Sequence, residues 1–424
     1  MKYGVLGKSL PHSYSPRIHS ALADYDYTIL ERTEDEVHAI FEGKEKLDGF
    51  NVTIPYKKLA YNLCKELSDE AKEVGAVNTV VALPTGGFKG YNTDVYGFVY
   101  MLRRAEVEVA GKNCLILGTG GASAAVSYAL KMLKAARIDF CSRTGSVNYE
   151  NVYTAESDAQ IVVNTTPVGM FPSVVESPID LSRFPKLYAA ADIVYNPART
   201  RFLSQAEELG VKHAGGLSML VAQAYKASLI FRGKPFSLDV ASKEDEMLLE
   251  KVIKTLESEM MNITLVGMPG CGKSRTGRKL AAALNREFVD LDVAFESEYG
   301  QKPSTVIKEK GEGAFREMET KLAKKILPKS GLVIATGGGI VTRKENWFYL
   351  KTNSKVIYLK RPLETLMKQD VNDRPVSSST GIETLYKQRS PLYEAVCDEI
   401  WDLPDFSVGD NLIDSLIEKL AKGE

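Results

Sequence analysis

A glycine-rich loop that ends in lysine and serine lies past the middle of the chain. Residues 267–274 read GMPGCGKS, which fits the GxxxxGK[ST] pattern between a predicted strand and a predicted helix. Glycines leave backbone N–H groups free to bind phosphate oxygens, while lysine neutralises terminal phosphates and serine ligates magnesium. The pattern therefore predicts a nucleotide-phosphate site built on Gly270, Gly272, Lys273 and Ser274. The plain alternative is a tight turn between strand and helix.

Charged residues follow this loop at spacings that suit a small anionic substrate. Two carboxylates lie at a strand end, and an Arg/Glu pair one helical turn apart shares a helix face. A run of three glycines after a strand offers bare N–H groups. Each feature alone also has a structural explanation, such as a solvated cap or a surface ion pair. The set is Asp290, Asp292, Arg316, Glu319, residues 336–339 (TGGG), Arg374 and Arg389.

A second glycine-rich loop, GTGGAS at 118–123, follows the apolar run Cys114–Leu117. Its spacing is typical of a dinucleotide-binding turn, although a GxG alone is a weak signal. The next predicted strand ends in Ser142, Arg143 and Thr144, where NAD-binding proteins usually place a carboxylate for the ribose hydroxyls. Hydroxyls and a guanidinium suit a 2′-phosphate, so we expect NADP. Asp139 lies too early to compete.

Upstream of that loop, a lysine and an aspartate form a candidate acid/base pair. Lys57 ends the segment NVTIPYK, and Asp94 ends GYNTD. Their plain alternatives are a solvated lysine at a helix start and the N-cap of the next helix. The neighbouring segments also offer the hydroxyls of Ser13, Ser15 and Thr53 and the amide of Asn78.

The elements that position these residues alternate between short apolar runs and helical patterns. Such alternation predicts βαβ units around parallel sheets, and hence an α/β fold. The predicted strands are Tyr3–Leu6, Phe50–Ile54, Thr79–Leu83, Cys114–Leu117, Arg137–Cys141, Gln160–Asn164, Ala191–Tyr195, Ile263–Val266, Leu332–Ala335 and Lys355–Leu359.

Composition limits the classes of partner and location. A chain of 424 residues is too long to fold around one ordinary hydrophobic core, which suggests two or three domains. Its net charge of -1 gives no basic field for nucleic acid. No run approaches the roughly 20 apolar residues of a membrane span. The five cysteines are scattered without a CxxC pair, which fits a reducing cytosol. We expect a cytoplasmic protein that acts on small molecules, with neither nucleic acid nor membrane as partner; the oligomeric state stays open.

Residues from about 262 to 420 resemble the shikimate kinase family through the phosphate loop, DLD, GEGAFREME, GGG and RSPLY. The resemblance implies that Asp292 acts on the reacting hydroxyl, that Asp290 supports Mg²⁺, and that Arg374 lies in a lid over ATP. The lid segment of this chain, Met367–Arg374, is short and acidic, and in this it departs from the family pattern. Implied substrate ligands are Asp292, Arg316, Gly338, Gly339 and Arg389.

Residues from about 1 to 235 resemble the shikimate dehydrogenase family through NVTIPYK, GYNTD, NTTPVGM, DIVYNP and GGLSMLVAQA. The resemblance implies that Lys57 is the acid/base, with Asp94 assisting. Implied substrate ligands are Ser13, Ser15, Thr53, Asn78, Asp94 and Gln223. Implied NADP(H) ligands are Gly118, Gly120, Gly121, Ala122, Ser142, Arg143, Thr144, Tyr195 and Gly216.

Two departures affect the cofactor part. Only fourteen residues separate Arg143 from Asp158, where relatives usually fit a helix and a further strand, and Ala124 stands where many relatives carry arginine. The resulting domain prediction is an α/β substrate domain, a Rossmann-like NADP domain, a linker helix and a P-loop kinase domain with a parallel sheet. The substrate domain is predicted over 1–104, with 225–245 packing back on it, and the NADP domain over 105–224. The linker helix is predicted over 246–261 and the kinase domain over 262–424.

The two resemblances imply a bifunctional enzyme that reduces 3-dehydroshikimate with NADPH and phosphorylates the resulting shikimate with ATP and Mg²⁺. Two alternatives remain at this stage: a C-terminal kinase for another metabolite or nucleotide, and one half acting as a non-catalytic nucleotide sensor. Quinate also remains a possible dehydrogenase substrate.

Overall fold

The computed structural model describes residues 2–11, 13–234, 242–368 and 381–422. The chain divides into two compact units, one formed by Met1–Asn196 with Thr200–Leu256 and the other by Pro197–Arg199 with Glu257–Glu424. The first unit contains two sheets, and the second contains one. No helix within the described ranges is both long and apolar enough to cross a membrane.

The first sheet has six strands in the order β2-β1-β3-β5-β6-β4. Its strands are β1 (Lys2–Gly7), β2 (Asp26–Glu31), β3 (Gly49–Val52), β4 (Glu66–Leu67), β5 (Thr79–Ala82) and β6 (Phe88–Tyr91). Its helices are α1 (Ser15–Leu22), α2 (Glu34–Phe41), α3 (Lys57–Leu63), α4 (Asp69–Val74) and α5 (Asp94–Arg104). The expectation of parallel sheets is wrong for β3, β5 and β6, which pair antiparallel. Gly86 and Gly87, both at positive φ, permit the tight turn between β5 and β6.

The second sheet is parallel throughout, in the order β11-β10-β9-β7-β8. It comprises β7 (Asn113–Leu117), β8 (Arg137–Cys141), β9 (Ile161–Asn164), β10 (Ala189–Asp192) and β11 (Lys212–Gly215), with helices α6 (Gly121–Met132), α7 (Val152–Ala155), α8 (Arg201–Glu208) and α9 (Gly216–Phe231). Between β8 and β9 the described chain forms only the four-residue helix α7. Strand β8 therefore lies at the sheet edge.

Strand β10 ends earlier than the pattern predicts. The predicted range Ala191–Tyr195 is wrong in its second half, because the chain leaves the sheet after Asp192. The buried Asp192 carboxylate accepts hydrogen bonds from the Val194 amide, the Asn164 side chain and the Thr200 hydroxyl. These bonds turn the chain out of the sheet.

Helix α10 (Lys243–Met260) contributes to the hydrophobic core of the first unit. Its Leu249, Val252, Ile253 and Leu256 are buried in one cluster with Tyr96, Tyr100 and Val221. Apolar residues at these spacings form one face of a helix, while its remaining positions are largely charged. Through Leu256 this helix is therefore an integral part of the first unit.

The second unit has one parallel sheet in the order β13-β14-β12-β15-β16. Its strands are β12 (Asn262–Val266), β13 (Phe288–Asp290), β14 (Val333–Ala335), β15 (Ser354–Lys360) and β16 (Glu399–Asp402). Its helices are α11 (Lys273–Leu284), α12 (Leu291–Tyr299), α13 (Pro303–Ile326), α14 (Glu345–Thr352), α15 (Leu363–Met367), α16 (Ile382–Val396) and α17 (Phe406–Lys422). Chain order reverses on either side of β12, and ligands of open α/β sheets bind at such a switch point.

Candidate active sites

The first unit brings Lys57 and Asp94 together. The Lys57 ammonium lies 2.6 Å from Oδ2 of Asp94, with side chains 19% and 9% exposed. Both residues begin helices, α3 and α5. The N-cap alternative for Asp94 is wrong, because Thr93 occupies the cap position and Asp94 is the first helical residue. A lysine held by a largely buried carboxylate is suited to deliver a proton.

Amide side chains extend this pair into a polar network. Asn78 donates to Oδ1 of Asp94 at 2.8 Å and to the Thr93 hydroxyl at 3.0 Å. Oε1 of Gln223, on α9, lies 3.5 Å from the Asn78 amide nitrogen and accepts from the Thr93 hydroxyl at 3.4 Å. Thr93 is fully buried and was missed by sequence reasoning, although it belongs to the GYNTD segment. The network holds Lys57, Asp94, Asn78 and Gln223 in one place.

The serine and threonine candidates follow two neighbouring parallel strands. Thr53 comes directly after β3, and Ser13 and Ser15 lie between β1 and the first turn of α1. Strands β1 and β3 pair in parallel, so their carboxyl ends share one sheet edge. The Ser15 amide donates to the Ser13 hydroxyl at 3.3 Å. This edge supplies hydroxyl donors next to the segment that leads into Lys57.

The GTGGAS loop joins β7 to α6 as its pattern predicts. Gly118 has φ +101°, and its amide donates to the Cys141 carbonyl at 2.8 Å. A Cβ added at Gly120 or Gly121 would meet no atom within 4 Å, so the loop leaves open space at those positions. Gly120 caps α6, and Gly121 and Ala122 are its first residues. Their amides thus belong to the N-terminus of a twelve-residue helix, which favours a phosphate group.

The residues expected near a 2′-phosphate follow β8, which pairs directly with β7. Arg143 and Thr144 are exposed, and Ser142 is half-buried. Asp139 does not compete for the ribose, because its carboxylate pairs with Arg137 at 2.5 Å. The cationic and hydroxyl groups fit the phosphate of NADP better than the diol of NAD.

Tyr195 and Gly216 lie past the ends of β10 and β11. A Cβ at Gly216 would overlap the carbonyl oxygen of Ile193, so only glycine fits this close approach. The Tyr195 ring packs edge-to-face on Tyr14 with centroids 6.2 Å apart. Burial raises the pKa of the Tyr195 hydroxyl, so it stays protonated and able to donate.

The phosphate loop of the second unit opens onto a cavity of about 770 Å³. Gly270 and Gly272 have φ of +82° and +100°, and α11 begins at Lys273. The Lys273 ammonium donates to the carbonyls of Gly267 and Met268 at 2.9 and 3.0 Å. The lysine is therefore folded against its own loop and has to turn outward to reach a terminal phosphate.

Ser274, Asp290 and Asp292 form the predicted polar edge beside this loop. The Ser274 hydroxyl donates to Oδ2 of Asp290 at 2.5 Å, while Oδ1 of Asp290 accepts from the Asp292 amide at 3.0 Å. Asp290 therefore caps α12 and also orients Ser274. A hydroxyl and a carboxylate in contact fit a Mg²⁺ ion, which prefers oxygen ligands and keeps several waters. Asp292 lines the cavity itself.

Two buried arginines line the same cavity. Arg316, on α13, donates to Glu319 at 2.6 Å, and Arg389, in the middle of α16, donates to the Gly338 carbonyl at 3.2 Å. A Cβ at Gly339 would overlap the Arg316 guanidinium, so the glycine run is needed for this close packing. Paired guanidinium groups suit a carboxylate ligand.

A buried acid, Glu319, balances part of the positive charge in this cavity. Burial raises the pKa of Glu319, as does the neighbouring Asp292, and Arg316 opposes the shift. Burial and the Arg316 cation lower the pKa of Arg389. Two guanidinium groups that repel each other favour an anion between them. Arg374 lies outside the described residues.

Comparisons with known proteins identify both halves. The family model described as shikimate dehydrogenase substrate binding domain matches residues 5–80, and the shikimate kinase model matches residues 269–421. The shikimate dehydrogenase (NADP(+)) of Clostridium perfringens is 36% identical over 262 residues, which cover 57% of this chain and 96% of that protein.

Solved structures agree for the first unit. A chorismate mutase/shikimate 5-dehydrogenase fusion protein from Clostridium acetobutylicum has 32% identity and a TM-score of 0.55, covering 60% of this chain and 96% of that chain. Shikimate 5-dehydrogenase from Thermus thermophilus, in complex with NADP(H) and shikimate, has 29% identity and a TM-score of 0.51. The match covers 60% of this chain and 99% of that chain.

Proposed function

Because the chain belongs to the shikimate dehydrogenase family and also carries a shikimate kinase domain, we propose that it catalyses two successive steps of the shikimate pathway. The first is the NADPH-dependent reduction of 3-dehydroshikimate to shikimate. The second is the ATP-dependent phosphorylation of shikimate at its 3-hydroxyl. The observation that carries the proposal is that one chain assembles both the Lys57–Asp94 pair and a phosphate loop facing two arginines.

In the reduction, bound NADPH supplies the hydride and the chain supplies the proton. Lys57 donates to the ketone oxygen as negative charge develops there, and Asp94 keeps the ammonium in position at 2.6 Å. Asn78 and Gln223 bind ring hydroxyls from the same network, and Ser13 and Ser15 bind the carboxylate. Fixed geometry of this kind lowers the barrier by positioning the reactants.

In the phosphorylation, bound MgATP supplies the phosphoryl group and the chain positions the acceptor. Arg316 and Arg389 bind the substrate carboxylate, which orients the ring in the cavity. Asp292 accepts the proton of the attacking hydroxyl. Lys273 turns from its backbone partners to the terminal phosphates and stabilises their charge.

The location of these reactions follows from their co-substrates. NADPH and ATP are small cytosolic metabolites, so we infer that the enzyme works in the cytoplasm. Its partners in these reactions are the two small acids and the two nucleotides.

The test uses the purified full chain and measures each reaction separately. With 3-dehydroshikimate we expect rapid oxidation of NADPH and slow oxidation of NADH. With shikimate and MgATP we expect ADP release and, by mass spectrometry, shikimate 3-phosphate. Phosphorylation of gluconate or a nucleoside monophosphate but not of shikimate would refute the kinase assignment. Oxidation of quinate by NADP⁺ would extend the substrate range of the dehydrogenase.

A further inference from the structure

Glu312 places its carboxylate against the two arginines of the second-unit cavity. Its Oε1 accepts from Nε and Nη2 of Arg316 at 3.2 and 2.9 Å. The same oxygen lies 4.0 Å from Nη2 of Arg389. The Nε/Nη2 edge is one of the guanidinium edges that bind carboxylates. Glu312 therefore occupies an anion position between the two groups proposed to bind the substrate carboxylate.

The two acids that contact Arg316 differ in how firmly they are held. The side chain of Glu319 is 5% exposed and is enclosed together with Arg316. The side chain of Glu312 is 46% exposed. Because the Glu312 carboxylate is open to water, it can regain solvation when it leaves Arg316, whereas Glu319 cannot. Glu319 is thus the permanent counter-ion, and Glu312 is the exchangeable one.

The backbone next to Glu312 gives its side chain room to leave. Helix α13 is broken at Gly311, which has φ +83° and ψ +164°. A Cβ at Gly311 or Gly313 would meet no atom within 4 Å. Glu312 therefore stands between two unpacked glycines at a helix break, whereas Arg316 lies one turn further on in the packed part of the helix.

We propose that Glu312 is an internal competitor for the substrate carboxylate. It neutralises the arginine pair in the free enzyme, and the incoming carboxylate displaces it toward solvent. The exchange replaces one carboxylate with another, so the two guanidinium groups keep an anion between them throughout. It also favours acids, because a neutral ligand cannot replace the charge that Glu312 provides. The proposal rests on the kinase function proposed above.

The decisive comparison is Glu312→Gln against Glu317→Gln. Both remove one negative charge from α13, but only Glu312 contacts the arginine pair. Glu317 is exposed and next to Arg316 in sequence, and within the described residues it forms no ion pair with either arginine. We expect the Kd of shikimate, measured by calorimetry, to fall about two- to fivefold in Glu312→Gln, as suits a half-exposed ion pair. Fivefold corresponds to about 1 kcal/mol. The Kd in Glu317→Gln should stay within error of the wild type.

Binding of ADP to each variant checks that the phosphate loop is intact. If Glu312 instead holds Arg316 in position, the Kd of shikimate rises in Glu312→Gln and the proposal is overturned. Equal Kd values in the two variants overturn it as well. A wild-type chain that does not phosphorylate shikimate removes the kinase function, and this inference with it. If the wild type does phosphorylate shikimate, a raised or unchanged Kd in Glu312→Gln contradicts only the role of Glu312 and leaves the kinase function standing.

Discussion

The substitution Lys57→Met keeps the length of the side chain and removes the ammonium that lies 2.6 Å from Asp94. A positioned general acid contributes about 100- to 10,000-fold in rate, or about 3–5 kcal/mol of barrier. We therefore expect kcat for the reduction of 3-dehydroshikimate to fall by a factor in that range. The substrate KM should change less, because Asn78 and Gln223 remain in place.

The same substitution also affects stability, and this effect has to be separated from catalysis. Asp94 is left as a carboxylate with only 9% side-chain exposure, although Asn78 still donates to it at 2.8 Å. An unpaired, partly satisfied charge of this kind costs about 1–3 kcal/mol. The double substitution Lys57→Met with Asp94→Asn removes that charge, so it should regain stability without regaining activity.

The assay follows NADPH oxidation at saturating substrate and, in the same preparation, ADP release with shikimate and MgATP. Lys58→Met is the matched control, because Lys58 is the exposed next residue on α3. We expect wild-type reduction in Lys58→Met and wild-type kinase activity in both variants. An acid/base role for Lys57 is refuted if Lys57→Met keeps more than about a tenth of wild-type kcat, because loss of an acid/base group should lower kcat about 100-fold or more. Parallel loss of kinase activity would refute it as well.

Three further predictions follow from individual contacts. Gly339→Ala places a methyl group on the Arg316 guanidinium, so the KM for shikimate should rise about tenfold or more. The control is Gly313→Ala, whose added methyl group meets no neighbour within 4 Å, and its KM for shikimate should be unchanged. Arg143→Glu should reduce the preference for NADPH over NADH about tenfold or more, measured as a ratio of kcat/KM values, because it replaces an exposed cation with an anion. Burial raises the pKa of Asp192 to about 7, above the roughly 4 of an unfolded aspartate. The folded unit therefore retains a proton that the unfolded chain releases, and the contribution of Asp192 to the unfolding free energy should fall as pH rises from about 4 to about 8. The difference in unfolding free energy between the wild type and Asp192→Asn, measured in urea, should show this slope, because the opposing contribution of buried His19 is common to both proteins.

Most site residues could be predicted because they lie where a strand ends. Lys273 follows β12 and Asp290 ends β13, so motif and strand pattern together indicate one edge of one sheet. Residue types made Lys57 and Asp94 a candidate pair, but their role as a catalytic pair 37 positions apart in the chain followed from the family resemblance. Periodicity alone carries no information on which strand ends meet.

Other features depend on tertiary contacts that the sequence pattern does not express. The β5–β6 hairpin was missed although Gly86 and Gly87 mark its turn, because helix–strand alternation elsewhere favoured parallel pairing. The end of β10 is determined by hydrogen bonds to buried Asp192 from residues far apart in the chain. The contact of Glu312 with Arg316 is an i,i+4 pair that helical spacing predicts, whereas the approach of Arg389 to the same carboxylate is a tertiary contact that spacing does not reveal.

The central claim is that one chain carries two independent sites for the same small acid. The most direct measurement gives 3-dehydroshikimate, NADPH and MgATP to Lys57→Met, to Lys273→Met and to an equal mixture of both, and follows the phosphorylated product by mass spectrometry. We predict that neither variant alone makes it, that Lys273→Met stops at shikimate, and that the mixture makes shikimate 3-phosphate because shikimate passes through solution. A mixture that makes none, or a variant that loses both activities, would contradict the claim.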